Sequence, residues 1–148
     1  MRPVVVFTPR SGWWHSVAER GGGLAIWLEL ARHFSREPPK RSVILIANTG
    51  HELGHIGFEA FLESAPELFA TTSDHAGAAS AWIHLGANFA SLGSQVRLQF
   101  SDEEFRDATL LAFAKEGLAP DLETPIGTRP YGEAREIFDR EGRFVSLL

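Results

Sequence analysis

Apolar and polar positions along the chain keep two rhythms. Val4-Val5-Val6-Phe7 is a short β-branched run stopped by Pro9 and Gly12, and it reads as a buried strand. Gly21-Gly22-Gly23 then opens a segment in which Leu24, Trp27, Leu28, Ala31 and Phe34 recur at helical spacing, until Pro38-Pro39 breaks it. Ser42 to Ala47 is the most hydrophobic run, which suits a central strand. Residues 58–69 read as one or two short helices interrupted at Pro66. Ala79 to Leu85 suits a third strand, and 96–100 alternates like a fourth. Ser101 ahead of Asp102-Glu103-Glu104 predicts a helix N-cap with acidic residues on the positive end of the dipole. That helix should reach Lys115 or Glu116 and close at Gly117. A proline-rich loop over 120–130, a helix around 131–140 and a closing strand at Phe144 to Leu148 complete the chain. The alternation predicts a three-layer α/β/α sandwich with a mostly parallel central sheet, in one domain spanning 1–148.

Composition narrows the partners. The chain has 148 residues, 44% hydrophobic and 22% charged, with a net charge of -5. That balance argues against nucleic acid or an anionic membrane surface, both of which select basic faces. Without cysteine there is no disulfide and no thiolate metal site. No apolar stretch approaches the roughly 20 residues that span a bilayer. The four-residue apolar run from Val4 to Phe7 is too short for the core of a signal peptide, so a soluble, cytoplasmic protein is expected.

His51-Glu52-Leu53-Gly54-His55 spells H-E-x-x-H, in which two histidines one helical turn apart hold zinc and the glutamate activates water. The context is wrong for a regular helix. Only Asn48-Thr49-Gly50 separate the preceding strand from His51, and Gly54 and Gly57 would each cost about 1 kcal/mol within a helix. Position 61, where the extended motif needs a third histidine, holds Phe61. His51 and Glu52 are therefore expected in a turn.

The same turn carries a resemblance. Gly50-His51-Glu52-Leu53-Gly54-His55-Ile56-Gly57-Phe58, following the 42–47 strand and leading into a helix, is similar to the G-E-E-x-G-x-x-G-S turn of the M28 zinc aminopeptidases, with both glycines in register. Backwards, Leu28-Glu29-Leu30-Ala31-Arg32 matches that family's L-E-x-A-R helix ending, and Val4 to Phe7 resembles the strand that normally ends in H-x-D. Forwards, 81–89 resembles the strand delivering a later aspartate, and 130–148 the last helix and strand. The resemblance implies a zinc-exopeptidase fold with two zinc ions, five ligands and a glutamate base. At the H-x-D place stand Thr8, Pro9 and Arg10; at the bridging aspartate, Glu19 followed by Arg20; at the base, His51; at the adjacent ligand, Glu52; at the later aspartate, Gly86. Of the implied ligands only Glu19 and Glu52 remain, whereas a tight catalytic zinc site wants three protein ligands and an open position.

The resulting candidate set is His51 and Glu52 for catalysis, Glu19 and Glu52 for metal, and Arg10, Trp13, Trp14 and Arg20 for a cleft at the strand ends. His55 reads as a packing residue. His15, Asp74, His75 and His84 could rebuild a single metal site with Glu52. Gly21-Gly22-Gly23 suits close packing against the sheet better than an anion cradle. The ligand count leans towards a binding or structural member that has lost two-zinc catalysis. The alternative is a metal-dependent hydrolase of peptide or amide bonds with a reduced or rebuilt site. No cofactor is expected in the first case and zinc in the second. A small molecule or peptide is the expected ligand. A homo-oligomer is expected as well, because an apolar sheet face or edge would otherwise lie uncovered.

Overall fold

The structure is a computed structural model that describes residues 1–14, 17–69, 78–86 and 93–148. Its element order is β1 (Val4–Pro9), α1 (Val17–Arg36), β2 (Val43–Asn48), α2 (Ile56–Ser64), β3 (Ala81–Leu85), β4 (Arg97–Phe100), α3 (Glu103–Lys115), β5 (Leu122–Glu123), α4 (Ala134–Phe138) and β6 (Phe144–Leu147), with short 3-10 turns at His51–Leu53 and Pro66–Phe69. Among the described residues, six strands form one sheet in the order β2-β1-β3-β6-β4-β5. The first four run parallel, and β4 pairs antiparallel to β6.

Register and burial fix the layers. Val5 pairs with Trp82 and Trp82 with Phe144, so these three share a face. They form the larger core with Phe58 and Leu62 of α2 and Ala134 and Ile137 of α4. The stacked pair Phe7–Phe58, with ring centroids 4.5 Å apart, ties β1 to α2. Val145 faces the other way and joins Leu98 and Phe100 beneath Phe105, Leu110 and Phe113 of α3. On that same face α1 lies over β1 and β3, where a Cβ at Gly23 would stand 2.0 Å from the Gly86 carbonyl oxygen and 3.0 Å from Thr8 Oγ1. Helices cover both faces, as the alternating rhythm predicts.

Several boundaries differ from the sequence reading. α1 begins at Val17, so the three glycines lie inside the helix rather than ahead of it. The close approach at Gly23 supplies the reason, since any side chain there would push α1 off the sheet. The cap of α3 is Asp102, not Ser101: its carboxylate accepts the Phe105 amide at 3.0 Å, and the Ser101 hydroxyl donates to that carboxylate. α4 is only five residues long, and β5 arises inside the proline-rich loop. The closing strand β6 is interior, paired on both sides, which leaves β2 and β5 as the edges. No helix among the described residues is long and apolar enough to cross a membrane.

Candidate functional site

The C-terminal ends of β1, β2, β3 and β6 meet the turn after β2 and the loop before α4. In open α/β sheets this is where ligands bind. The turn after β2 is built from left-handed backbone. Gly50 and Gly54 both have φ of 75°, His55 has φ of 67°, and between them His51–Leu53 makes a single 3-10 turn. H-E-x-x-H is thus not a helical pair. α2 starts after His55, and a Cβ at Gly57 would stand 2.3 Å from the Thr49 carbonyl oxygen, so the chain must double back tightly there.

Two carboxylate clusters flank this turn. In the first, Glu19 and Glu52 converge on one guanidinium. Arg20 Nη2 donates to Glu19 Oε1 at 2.9 Å and lies 3.4 Å from Glu52 Oε1. The Arg20 side chain is 8% exposed and that of Glu52 9%. Arg20 Nε also donates to the Ser11 carbonyl at 2.8 Å. The Ser11 hydroxyl donates to Glu52 Oε2 at 3.0 Å and accepts the Gly50 amide at 2.9 Å, which staples the loop after β1 to the turn. Burial pushes the Glu52 carboxyl up, but hydrogen bonds from its own backbone, Ser11 and Arg20 hold it below its usual value.

The second cluster surrounds Glu133, which is fully buried. Its Oε1 accepts from His51 Nδ1 at 2.8 Å and from Asn48 Nδ2 at 3.2 Å, and its Oε2 lies 3.5 Å from His84 Nε2. The sheet supplies the floor. Phe7, His84, Ser146 and Gln99 occupy one cross-strand row. Phe7 stacks on His84 at 5.0 Å, and His84 Nδ1 and Ser146 Oγ are 2.9 Å apart. Burial pushes the Glu133 carboxyl up, yet the His51 hydrogen bond and the nearby His84 imidazole outweigh it and hold the group well below the usual carboxylate range. Beside this cluster, buried His55 reaches Glu136 Oε1 through Nδ1 at 3.1 Å, and its ring centroid is 5.0 Å from that of His51. His51, His55 and Glu133 each offer a ligand atom, all within 4.8 Å of one another, and could hold a metal ion.

A cleft of about 230 Å³ opens between the clusters, walled by Pro9, Glu19, Arg20, His51, His84, Gly86, Gly132, Glu133 and Leu148. Arg10, Trp13 and Trp14 are not among its described walls. Trp13 is 64% and Trp14 96% exposed, and Arg10 is tied to β2 through its backbone amide, which donates to the Asn48 carbonyl at 2.9 Å. His84 contacts Ser146 and Glu133 and is part of the sheet row. His15, Asp74 and His75 lie outside the described residues. Glu133, Asn48, Ser11 and Glu136 escaped the sequence reading. Glu133 sits in Tyr131-Gly132-Glu133-Ala134 with no spacing that links it to the histidines, and only the fold joins positions 82 residues apart.

An α/β fold with a turn of this shape at its strand ends defines a zinc-exopeptidase-like class. The chain belongs to peptidase family M28, whose model matches residues 17–118. A solved structure from Clostridium acetobutylicum, described as a candidate peptidase, is similar with a TM-score of 0.66 at 13% identity, over 99% of this chain and 32% of that one. This chain therefore spans about a third of that neighbour's length, and the likeness concerns the fold. No curated protein matches the chain.

Proposed function

We propose that this is an M28-family domain that binds a small molecule or peptide end without two-zinc hydrolysis. One observation carries the reading: the carboxylates of Glu19 and Glu52, the two retained at ligand positions, share the Arg20 guanidinium. A guanidinium is permanently cationic and fills the place where a dication would need those oxygens. The remaining implied positions add nothing to a metal. Thr8 is buried with its hydroxyl donated to the Leu85 carbonyl, Gly86 has no side chain, and Arg10 is itself a cation. A pair of zinc ions does not fit that donor set.

The cleft is smaller than the roughly 300 Å³ at which ligand pockets usually begin. A small group such as a peptide amino terminus suits it, because Glu19 and Glu133 line the wall while Arg20 is already engaged by Glu19, Glu52 and the Ser11 carbonyl. The half-buried edge strand β2 and the exposed Ile26 and Leu28 on α1 support self-association of the domain.

The test is zinc-supplemented hydrolysis of amino-acid amides and anilides. The expected outcome is no turnover above background, because metal activation of water is the step that supplies hydroxide at neutral pH. Chelator-sensitive hydrolysis that disappears in Glu52→Gln would overturn the reading. Light scattering checks the association, with a homodimer or larger expected and a monomer mass counting against it.

A further inference from the structure

We infer that His51, His55 and Glu133 form a site for one divalent transition-metal cation of the zinc class, separate from the Glu19–Glu52 positions. The inference goes beyond the binding reading and does not depend on it.

Charge is the first argument. Glu133 is fully buried, and its partners among the described residues are an amide, Asn48, and two imidazoles, His51 and His84. Neither arginine nor lysine pairs with it among the described residues. A buried carboxylate anion without a counter-charge is costly. Its Oε2 is also left without a hydrogen-bond partner, as is His84 Nε2 across 3.5 Å. A fully buried orphan oxygen at the wall of an open cleft is unusual, because buried polar atoms are nearly always satisfied.

Donor chemistry is the second. Two imidazoles and one carboxylate make a set that zinc accepts while keeping a fourth position open. Their ligand atoms lie within 4.8 Å of one another. Ligands about 2.1 Å from a tetrahedral zinc sit about 3.4 Å apart, so the site closes by little more than 1 Å on loading. His51 is the member that can move, its side chain being 25% exposed.

The surroundings are arranged as outer partners of a metal site. His55 Nδ1 lies 3.1 Å from Glu136 Oε1 and 3.2 Å from Arg135 Nη2, so that nitrogen is engaged and the other ring nitrogen is the one that would ligate. Arg135 and Arg140 stand near Glu136, at 3.1 and 3.5 Å, so the positive charge behind His55 is offset locally. Glu52, although inside the H-E-x-x-H stretch, turns away to Ser11 and Arg20. The third donor comes instead from position 133.

The test titrates chelator-treated protein with Zn²⁺ by calorimetry and with Co²⁺ by visible absorption. The expected result is one cation per chain and an intense, tetrahedral-type cobalt spectrum. His51→Ala and Glu133→Gln should each weaken binding about 100-fold or more, and Glu29→Gln, at an exposed carboxylate of α1, should leave it unchanged. Circular dichroism checks each fold, and His51→Gln replaces His51→Ala if the latter unfolds. Absence of any bound cation, or one cation indifferent to His51 and Glu133, overturns the inference and leaves the binding reading standing. Two cations lost together in Glu52→Gln overturn both.

Discussion

Two carboxylates from distant parts of the chain, Glu52 in the turn after β2 and Glu133 ahead of α4, are treated in opposite ways. Glu52 is fixed by Arg20 and Ser11, a partner that never loses its charge and a hydroxyl already engaged by backbone. Among the described residues, Glu133 has Asn48 and two histidines as partners, none of them a permanent cation. The Arg20 cluster is closed: its electrostatics are complete and it holds the loop after β1 against the turn after β2. The Glu133 cluster is open, because among the described residues no arginine or lysine faces its carboxylate and its Oε2 has no hydrogen-bond partner. Chemistry that depends on conditions therefore belongs on the Glu133 side.

The largest effect that could break this contrast is in Arg20→Ala. Removing a guanidinium that is 8% exposed leaves Glu52 buried and unpaired and frees the Ser11 carbonyl. A loss of about 3–5 kcal/mol is expected, read from denaturant midpoints. A midpoint close to wild type would show that the cluster is not closed.

Glu133→Gln is expected to cost less, about 1–3 kcal/mol, since the amide keeps the shape and loses the charged acceptor. Its pH dependence sharpens the point. The folded-state value of Glu133 is depressed well below 4.5, so its stabilisation is fully present above 4.5, starts to fade below it and is lost as pH falls through the depressed folded value. The gap between wild type and Glu133→Gln should narrow from pH 6 to pH 3. A gap that is constant with pH would mean that the charge contributes nothing.

The smallest effect lies outside both clusters and calibrates them. Asp102 caps α3 and pairs with Arg143, whose hydrogen bond is the main reason its carboxyl falls to about 2. The pair is partly exposed, so solvent screening limits its worth, and Asp102→Ala should cost about 1 kcal/mol. That contribution is fully present above pH 3.8 and is lost as pH falls towards 2. Thermal scans at pH 6 and pH 2.5 check it.

The elements with strong local signals were legible. Val4–Pro9 and Val43–Asn48 are dense β-branched and aliphatic runs that serve no other structure, and both are strands. Pro66 separates α2 from the following 3-10 turn, as its missing amide requires. The turn holding His51 and Glu52 was readable from its glycines and the short gap after β2, and the M28 likeness from the same residues. What failed was non-local. Three glycines look like a helix boundary until the Gly86 carbonyl is found against Gly23. A two-residue strand such as Leu122–Glu123 exists only because β4 offers an edge. His55 is buried, as the packing reading has it, and only its pairing with Glu136, 81 positions away, had no local sign.

The contact at Gly23 has a mechanical consequence. The Gly86 and Leu85 carbonyl oxygens and the Thr8 hydroxyl crowd Gly23, so α1 cannot settle closer to the sheet without breaking that seat. Arg20 lies three residues earlier, about 4.5 Å along the helix. It works as the short arm of a lever whose fulcrum is Gly23, and the far end of α1, near Arg36, is the long arm. Disturbances at the distal end arrive at the guanidinium much reduced. The cleft wall is accordingly stiff on the α1 side, and accommodation of anything that enters falls to the opposite wall, where His51 stands on a glycine-flanked turn.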